Sequence, residues 1–218
     1  MPGGWEFGAV LSRAVLGSAL GAGAGAALRL LLRNLRRGVV LRVGWLETAG
    51  ASTTAAGLVL AWSAPTLGLV LFAGLLLVAL SGVDIVHHRL PDAITLPALP
   101  LAGVAVLATN LVHPGSGSML RAGSCAVVLW SLFAAASRMS AAAMGGGDVK
   151  LVPTLGLLMG YVSAGAVVIG LAMAFVLSAL VVLVGLAVRR LRLNSAIPLG
   201  PYLLLGCWSV LLVPALAR

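Results

Sequence analysis

Long apolar stretches separated by short polar segments run through the whole chain. Several of them reach the roughly 20 residues that a helix needs to cross a bilayer. The alternation of apolar and polar positions that marks a membrane β-barrel is absent. The pattern predicts an all-α fold, a polytopic transmembrane bundle of about eight helices at residues 8–32, 46–63, 66–83, 93–112, 119–136, 149–160, 163–188 and 198–216. The sixth stretch would reach only about 18 Å as a helix, so we expect it to be longer, tilted or partly re-entrant.

Composition supports a membrane protein without a separate soluble domain. Hydrophobic residues make up 61% of the chain and charged residues only 9%, whereas soluble domains carry about 25% charged residues. The net charge of +9 comes from basic residues placed between the apolar stretches. This placement indicates the positive-inside rule of membrane proteins rather than a nucleic-acid partner. The predicted partner is therefore the lipid bilayer, and no nucleic acid is expected.

The basic residues also predict the orientation of the helices. Each loop is numbered by the helix that precedes it. The basic residues fall in the odd-numbered loops or beside them, at Arg33, Arg36, Arg37, Arg42, His87, His88, Arg89, Arg138, Lys150, Arg189, Arg190 and Arg192. The even-numbered loops, around 63–66, 113–118 and 160–163, contain no Lys or Arg. If the sixth stretch crosses, the odd-numbered loops are cytoplasmic and both termini face outward. Because Glu6 precedes a first stretch that runs on to Leu32, a cleavable signal peptide is not expected.

Acidic residues are few, and two of them stand out. The chain has five, at Glu6, Glu47, Asp84, Asp92 and Asp148. Asp84 ends the third apolar stretch and Asp148 opens the sixth, so both are predicted at cytoplasmic ends of helices. An ionisable group beside the hydrocarbon is costly and is a functional candidate.

Two carboxylates brought close together share a proton, because both do not ionise easily at short range. The ionised one could then activate a water, and the protonated one could donate to a peptide carbonyl. Three alternatives stay open: Asp84 and Asp148 cap helix ends, they relay protons in a transporter, or the chain is a membrane subunit without chemistry. The sequence permits the two side chains to meet but does not show that they do.

Glycines and cysteines have simpler interpretations. Gly17, Gly21 and Gly25 fall on one face of the first helix, where they would allow close packing of another helix. Cys125 and Cys207 lie in apolar stretches without the CxxC spacing of a zinc site, so neither a metal nor a disulfide framework is predicted.

Three segments together resemble the prepilin peptidases of the GxGD aspartic-protease family. They are residues 84–97, DIVHHRLPDAITLP; residues 145–151, GGGDVKL; and residues 197–202, IPLGPY. The resemblance covers roughly residues 66–216. It implies a six-helix catalytic core with Asp84 and Asp148 as the catalytic pair. It also implies a bacterial cytoplasmic membrane, an active site facing the cytoplasm, and the N-terminal leaders of type IV prepilin-like precursors as substrates.

The chain departs from the larger members of that family before the segment Leu46-Glu47-Thr48. Those members carry a cytoplasmic loop there with two cysteine pairs that bind zinc, and they also methylate the new N-terminus. The predicted loop 33–45 has no cysteine. We therefore expect no cofactor and a peptidase without N-methyltransferase activity. The predicted division is residues 1–65, a two-helix segment lacking that loop, and 66–218, the peptidase core.

The remaining polar residues near the motifs are also candidates. Gly145, Gly146 and Gly147 are expected to shape a substrate-facing turn, because glycine reaches backbone conformations closed to other residues. Lys150 either contacts substrate or lipid phosphate or serves as an interfacial anchor. Glu47 either makes a structural hydrogen bond or lies near the site. Further expectations are that Asp92 caps the helix starting near 93, that Arg89 pairs with Asp84 or Asp92, and that His87 and His88 are interfacial.

Overall fold

The computed structural model describes residues 4–34, 42–87, 91–139, 145–189 and 199–212. The regular structure within these ranges is helical, which confirms the predicted all-α fold and its eight helices. In chain order they are α1 Gly4–Arg33, α2 Trp45–Leu60, α3 Leu67–His87, α4 Asp92–Val112, α5 Met119–Met139, α6 Gly146–Val162, α7 Ala164–Ala187 and α8 Gly200–Leu212.

Length and apolarity divide the helices into two groups. Five contain segments long and apolar enough to cross a bilayer: Glu6–Arg33, Leu67–Asp84, Asp92–Val112, Met119–Met139 and Ala164–Ala187. The other three, α2, α6 and α8, have 16, 17 and 13 described residues. These three fall short of the roughly 20 residues of a full span.

The sixth helix is longer than the 149–160 expected from the sequence. It begins at Gly146 and ends at Val162, because two glycines before Asp148 join the helix and Pro153 does not interrupt it. Near its start, Lys150 contacts Asp92 at the beginning of α4. Near its end, Tyr161 contacts Asn110 at the end of α4. Helix α6 therefore runs parallel to α4, from one end of the bundle to the other, over about 25 Å.

Helix α6 also lies at the centre of the bundle. It packs on α4, α5, α7 and α8, and most of its side chains are buried. Helices α3 and α8 complete the same hydrophobic core, whose largest buried side chains include Leu69, Leu80, Leu151, Leu155, Leu158 and Leu204. The core thus fixes the helix that carries Asp148 on every side.

Helices α1 and α2 form a tight antiparallel pair. A Cβ atom on Gly17 would lie 2.6 Å from the Cα of Ala55, and one on Gly21 would collide with the backbone of Gly50. The packing role predicted for this glycine face is therefore confirmed. Leu32 and Leu46, at the connected ends of the pair, share a buried cluster with Val83 of α3. This contact brings that end of the pair beside Asp84.

We call the end of the bundle where α3 finishes and α4 and α6 begin the aspartate end. The described basic residues that flank helices there are Arg33, Arg42, Arg138, Lys150 and Arg189. At the opposite end, Arg121 in the first turn of α5 turns onto α6. Its guanidinium donates hydrogen bonds of 2.7–2.8 Å to the carbonyl oxygens of Gly160, Tyr161 and Val162. This cation therefore satisfies the last carbonyls of α6, which have no partner within their own helix.

Replacing Arg121 by methionine is expected to destabilise the fold by about 2 kcal/mol, because hydrogen bonds from a charged donor to buried carbonyls would be lost. Thermal or denaturant unfolding of the purified protein in detergent measures the change. The matched control is Arg138→Met at the other end of α5, where the side chain is exposed. Equal stabilities of the two variants would show that the Arg121 contacts contribute nothing.

Candidate active site

Asp84 lies in the last turn of α3 and is almost completely enclosed. Only 4% of its surface is exposed. The buried Leu77 and Leu80 precede it by seven and four residues, so all three share one helix face. That face is directed into the bundle, and it carries the carboxyl group inward with it.

Asp148 lies in the first turn of α6 and is 7% exposed. Its backbone N–H donates to the Gly145 carbonyl oxygen at 3.0 Å. Its carboxylate lies beside the Gly145 backbone, since a Cβ added to Gly145 would be 3.4 Å from the Asp148 Oδ2. These contacts fold the side chain back over the start of the helix, where the helix dipole favours a negative charge.

The structure brings the two aspartates together. Asp84 and Asp148 are close enough for their negative charges to repel each other, although 64 positions separate them in the sequence. Both are buried at the same end of the bundle. The sequence only permitted this meeting. Repulsion between the two charges favours the state in which one of the two carboxyls is protonated, so that one can act as a base and the other as an acid.

The three glycines before Asp148 adopt ordinary backbone conformations. Gly145 is extended, with φ −66° and ψ 137°, while Gly146 and Gly147 belong to the helix. Among the described glycines only Gly44 and Gly115 have positive φ. The conformational freedom expected of the run is therefore not used here. What the run provides is absence of side chains, since a Cβ on Gly146 would meet no atom within 4 Å.

Lys150 forms an ion pair that the sequence did not predict. Its Nζ lies 2.7 Å from the Oδ1 of Asp92, and both side chains are largely exposed. The pair joins the starts of α4 and α6. The expectation that Asp92 caps α4 is wrong, because Pro91 occupies the cap position and Asp92 is the first helical residue. A carboxylate in that first turn still suits the helix dipole.

Glu47 makes structural contacts at the start of α2. Its Oε1 accepts a hydrogen bond of 2.7 Å from Arg29 Nε, and its Oε2 accepts one of 2.9 Å from the Gly44 N–H. Glu47 thus makes the structural hydrogen bonds that the sequence offered as one of its two possible roles. Its neighbour Leu46 packs beside α3. Arg29 was overlooked in the sequence. The available signal was a charged residue inside an apolar stretch, which needs a partner.

Some candidates fall outside the described residues. These are His88, Arg89, the side chain of His87, and the first two residues of the segment 197–202. The described part of that segment begins at Leu199, whose carbonyl oxygen accepts the Tyr202 N–H at 3.1 Å as α8 starts.

A comparison with protein families places these motifs in a known group. The profile of the type IV leader peptidase family matches residues 69–188, more than half of the chain. The chain belongs to this family. The matched residues run from α3 through α7 and contain Asp84, the glycine run, Asp148 and Lys150, but not Glu47. Family membership and five apolar helices of spanning length identify a multi-pass membrane protein.

Relatives within the type IV leader peptidase family are longer than this chain. A prepilin leader peptidase/N-methyltransferase of Xanthomonas campestris pv. campestris is 31% identical over 135 residues, which cover 62% of this chain and 46% of that protein. One from Aeromonas hydrophila is 33% identical over 177 residues, 80% of this chain and 57% of that protein. The chain thus spans about half the length of these relatives. No solved structure matches it.

Proposed function

We propose that this protein is a membrane aspartic endopeptidase that removes the N-terminal leader of type IV prepilin-like precursors. The observation that carries the proposal is the pairing of Asp84 and Asp148. They are buried carboxylates from two different helices, close enough to repel each other, in a chain of the type IV leader peptidase family. The named relatives are prepilin leader peptidases, which supports the choice of substrate.

The chemistry follows from the two protonation states of the pair. The ionised aspartate takes a proton from a water molecule, whose oxygen attacks the scissile carbonyl carbon. The protonated aspartate donates its proton to the carbonyl oxygen as the tetrahedral intermediate forms. Breakdown of this intermediate returns the carbonyl, transfers a proton to the leaving amine and breaks the C–N bond. Either aspartate can begin as the acid, since the proton belongs to the pair.

The proposed site faces the cytoplasm. Arg33, Arg42, Arg138, Lys150 and Arg189 surround the aspartate end, as the positive-inside rule requires of a cytoplasmic face. At the opposite end, Arg121 is engaged by the carbonyl oxygens of α6, and Arg13 lies over the Trp62 ring, 4.9 Å from its centroid. These two cations are occupied within the fold.

The proposal is tested with the purified protein in lipid vesicles and a precursor that contains the leader and the following hydrophobic segment. Mass spectrometry of the product should show a new N-terminus at the junction of leader and hydrophobic segment. The absence of any product with correctly folded protein would overturn the proposed activity. The variants Asp84→Asn and Asp148→Asn, measured in the same assay, test whether the two aspartates carry out the chemistry.

We further propose that the protein does not methylate its product. The relatives carry N-methyltransferase in their names. In this chain, residues 34–44 between α1 and α2 contain no cysteine. We keep the proposed division into an N-terminal helix pair, residues 1–65, and a peptidase core, residues 66–218. With S-adenosylmethionine present, the cleaved product should keep the mass of an unmethylated N-terminus. A mass increase of about 14 Da, one methyl group replacing a hydrogen, would show that methyl transfer does not need the cysteine loop.

A further inference from the structure

Helix α3 carries a buried hydroxyl one turn before Asp84. The Oγ of Ser81 is inaccessible and has no hydrogen-bond partner within the described part of the chain. A buried hydroxyl without a partner destabilises a fold, so each such group calls for an explanation. Two other side-chain atoms share this condition among the described residues, Thr154 Oγ1 and Trp208 Nε1.

Other serine and threonine hydroxyls in the helices of this protein form an intrahelical hydrogen bond that Ser81 does not form. Most of them donate to a carbonyl oxygen three or four residues earlier in their own helix, as Ser137 does to Ala134 at 3.0 Å and Thr109 does to Ala105 at 2.9 Å. This is the usual solution for serine and threonine in an apolar helix. Since Ser81 makes no such bond, its hydroxyl keeps an unused capacity to donate to a group from outside α3 that displaces the atoms now covering it.

The position of Ser81 indicates what that group is. Three residues along a helix correspond to a rise of about 4.5 Å and an angular separation of about 60°, so Ser81 and Asp84 share one side of α3. Because α3 runs towards the aspartate end, Ser81 lies deeper in the bundle than Asp84. An extended peptide advances about 3.3 Å per residue. If the scissile peptide bond of an extended substrate lies beside Asp84, a neighbouring peptide group of that substrate therefore lies at the level of Ser81 along α3.

We propose that Ser81 is a substrate-binding residue that donates a hydrogen bond to a main-chain carbonyl oxygen of the precursor beside the scissile bond. The bonded carbonyl belongs to the hydrophobic side of the cleavage site, because that part of the precursor enters the membrane. This inference rests on the proposed peptidase function. It explains why α3 tolerates an unpartnered hydroxyl, since the partner arrives with the substrate.

The test compares Ser81→Ala with the unsubstituted protein in the precursor-cleavage assay. One hydrogen bond is removed from the bound substrate and from the transition state alike, so KM should rise about fivefold while kcat changes little. The temperature of unfolding should stay the same or rise, because the variant buries no unpartnered hydroxyl. A purely structural role would lower this temperature instead.

Two variants serve as matched controls. Thr154→Val removes the other unpartnered hydroxyl, which lies six residues after Asp148 and about 120° away from it around α6. Ser137→Ala removes a hydroxyl that bonds its own helix. Both should leave KM unchanged.

An unchanged KM in Ser81→Ala would overturn the Ser81 proposal, and so would a loss of stability in that variant. Asp84→Asn separates this failure from failure of the proposed function. If Asp84→Asn is inactive while Ser81→Ala behaves like the unsubstituted protein, only the role of Ser81 is wrong. If Asp84→Asn cleaves normally, the proposed aspartate mechanism fails, and the Ser81 proposal fails with it.

Discussion

Asparagine in place of Asp84, or in place of Asp148, should lower precursor cleavage by about 1,000-fold. The amide keeps the size of the carboxyl group but can neither take a proton from water nor hold the proton that the pair shares. General acid and base catalysis contribute about 10²- to 10⁴-fold each, so either variant should leave only background cleavage. Removal of both carboxyls should add little, because residues that act as a unit are not additive.

The fold should survive these substitutions, which makes the loss of cleavage interpretable. Both carboxyls are buried and repel each other, so a neutral amide at either position removes a repulsion. The temperature of unfolding is therefore expected to stay the same or rise. The control is Glu6→Gln, an exposed carboxylate near the start of α1, which should cleave normally. Cleavage near the normal rate in either asparagine variant would refute the two-aspartate mechanism.

Valine in place of Gly21 should separate α1 from α2 and destabilise the protein by about 3 kcal/mol, at the upper end of the usual cost of overpacking. A Cβ at Gly21 would collide with the Gly50 backbone and come within 2.8 Å of Thr54 Oγ1. A backbone atom cannot move aside as a flexible side chain can. The α1–α2 pair would have to open along its length.

Gly23→Val is the matched control for that prediction. Gly23 lies two residues further along the same helix and is exposed, and a Cβ added to it would meet no atom within 4 Å. The intrinsic helix preference changes equally in both variants, so the difference between their free energies of unfolding isolates the packing of α1 on α2. Equal stabilities would mean that this close contact contributes nothing to the fold.

Much of the candidate site was predictable from the sequence because its signals are local. Asp84 and Asp148 are rare charges at the edges of apolar stretches, and the alternation of basic loops assigns both to one end of the bundle. The glycine face of Gly17, Gly21 and Gly25 follows from helical spacing alone. The length of α6 was not predictable in this way, since Gly146, Gly147 and Pro153 disfavour a helix locally and yet belong to a helix most of whose other side chains are buried in the bundle.

The partners of the charged residues were decided by tertiary structure. Lys150 with Asp92, Arg29 with Glu47, and Arg121 with the α6 carbonyls each join positions far apart in the chain. In a bilayer, lipid-facing and core-facing residues are both apolar, so the sequence does not mark which side of a helix faces the bundle. The sequence by itself determined the helices, their alternating direction and the end that holds the aspartates. Only the packing of α3 against its neighbours and of α6 at the centre decided that the two carboxyls are buried together, because contacts between distant helices depend on the faces that meet.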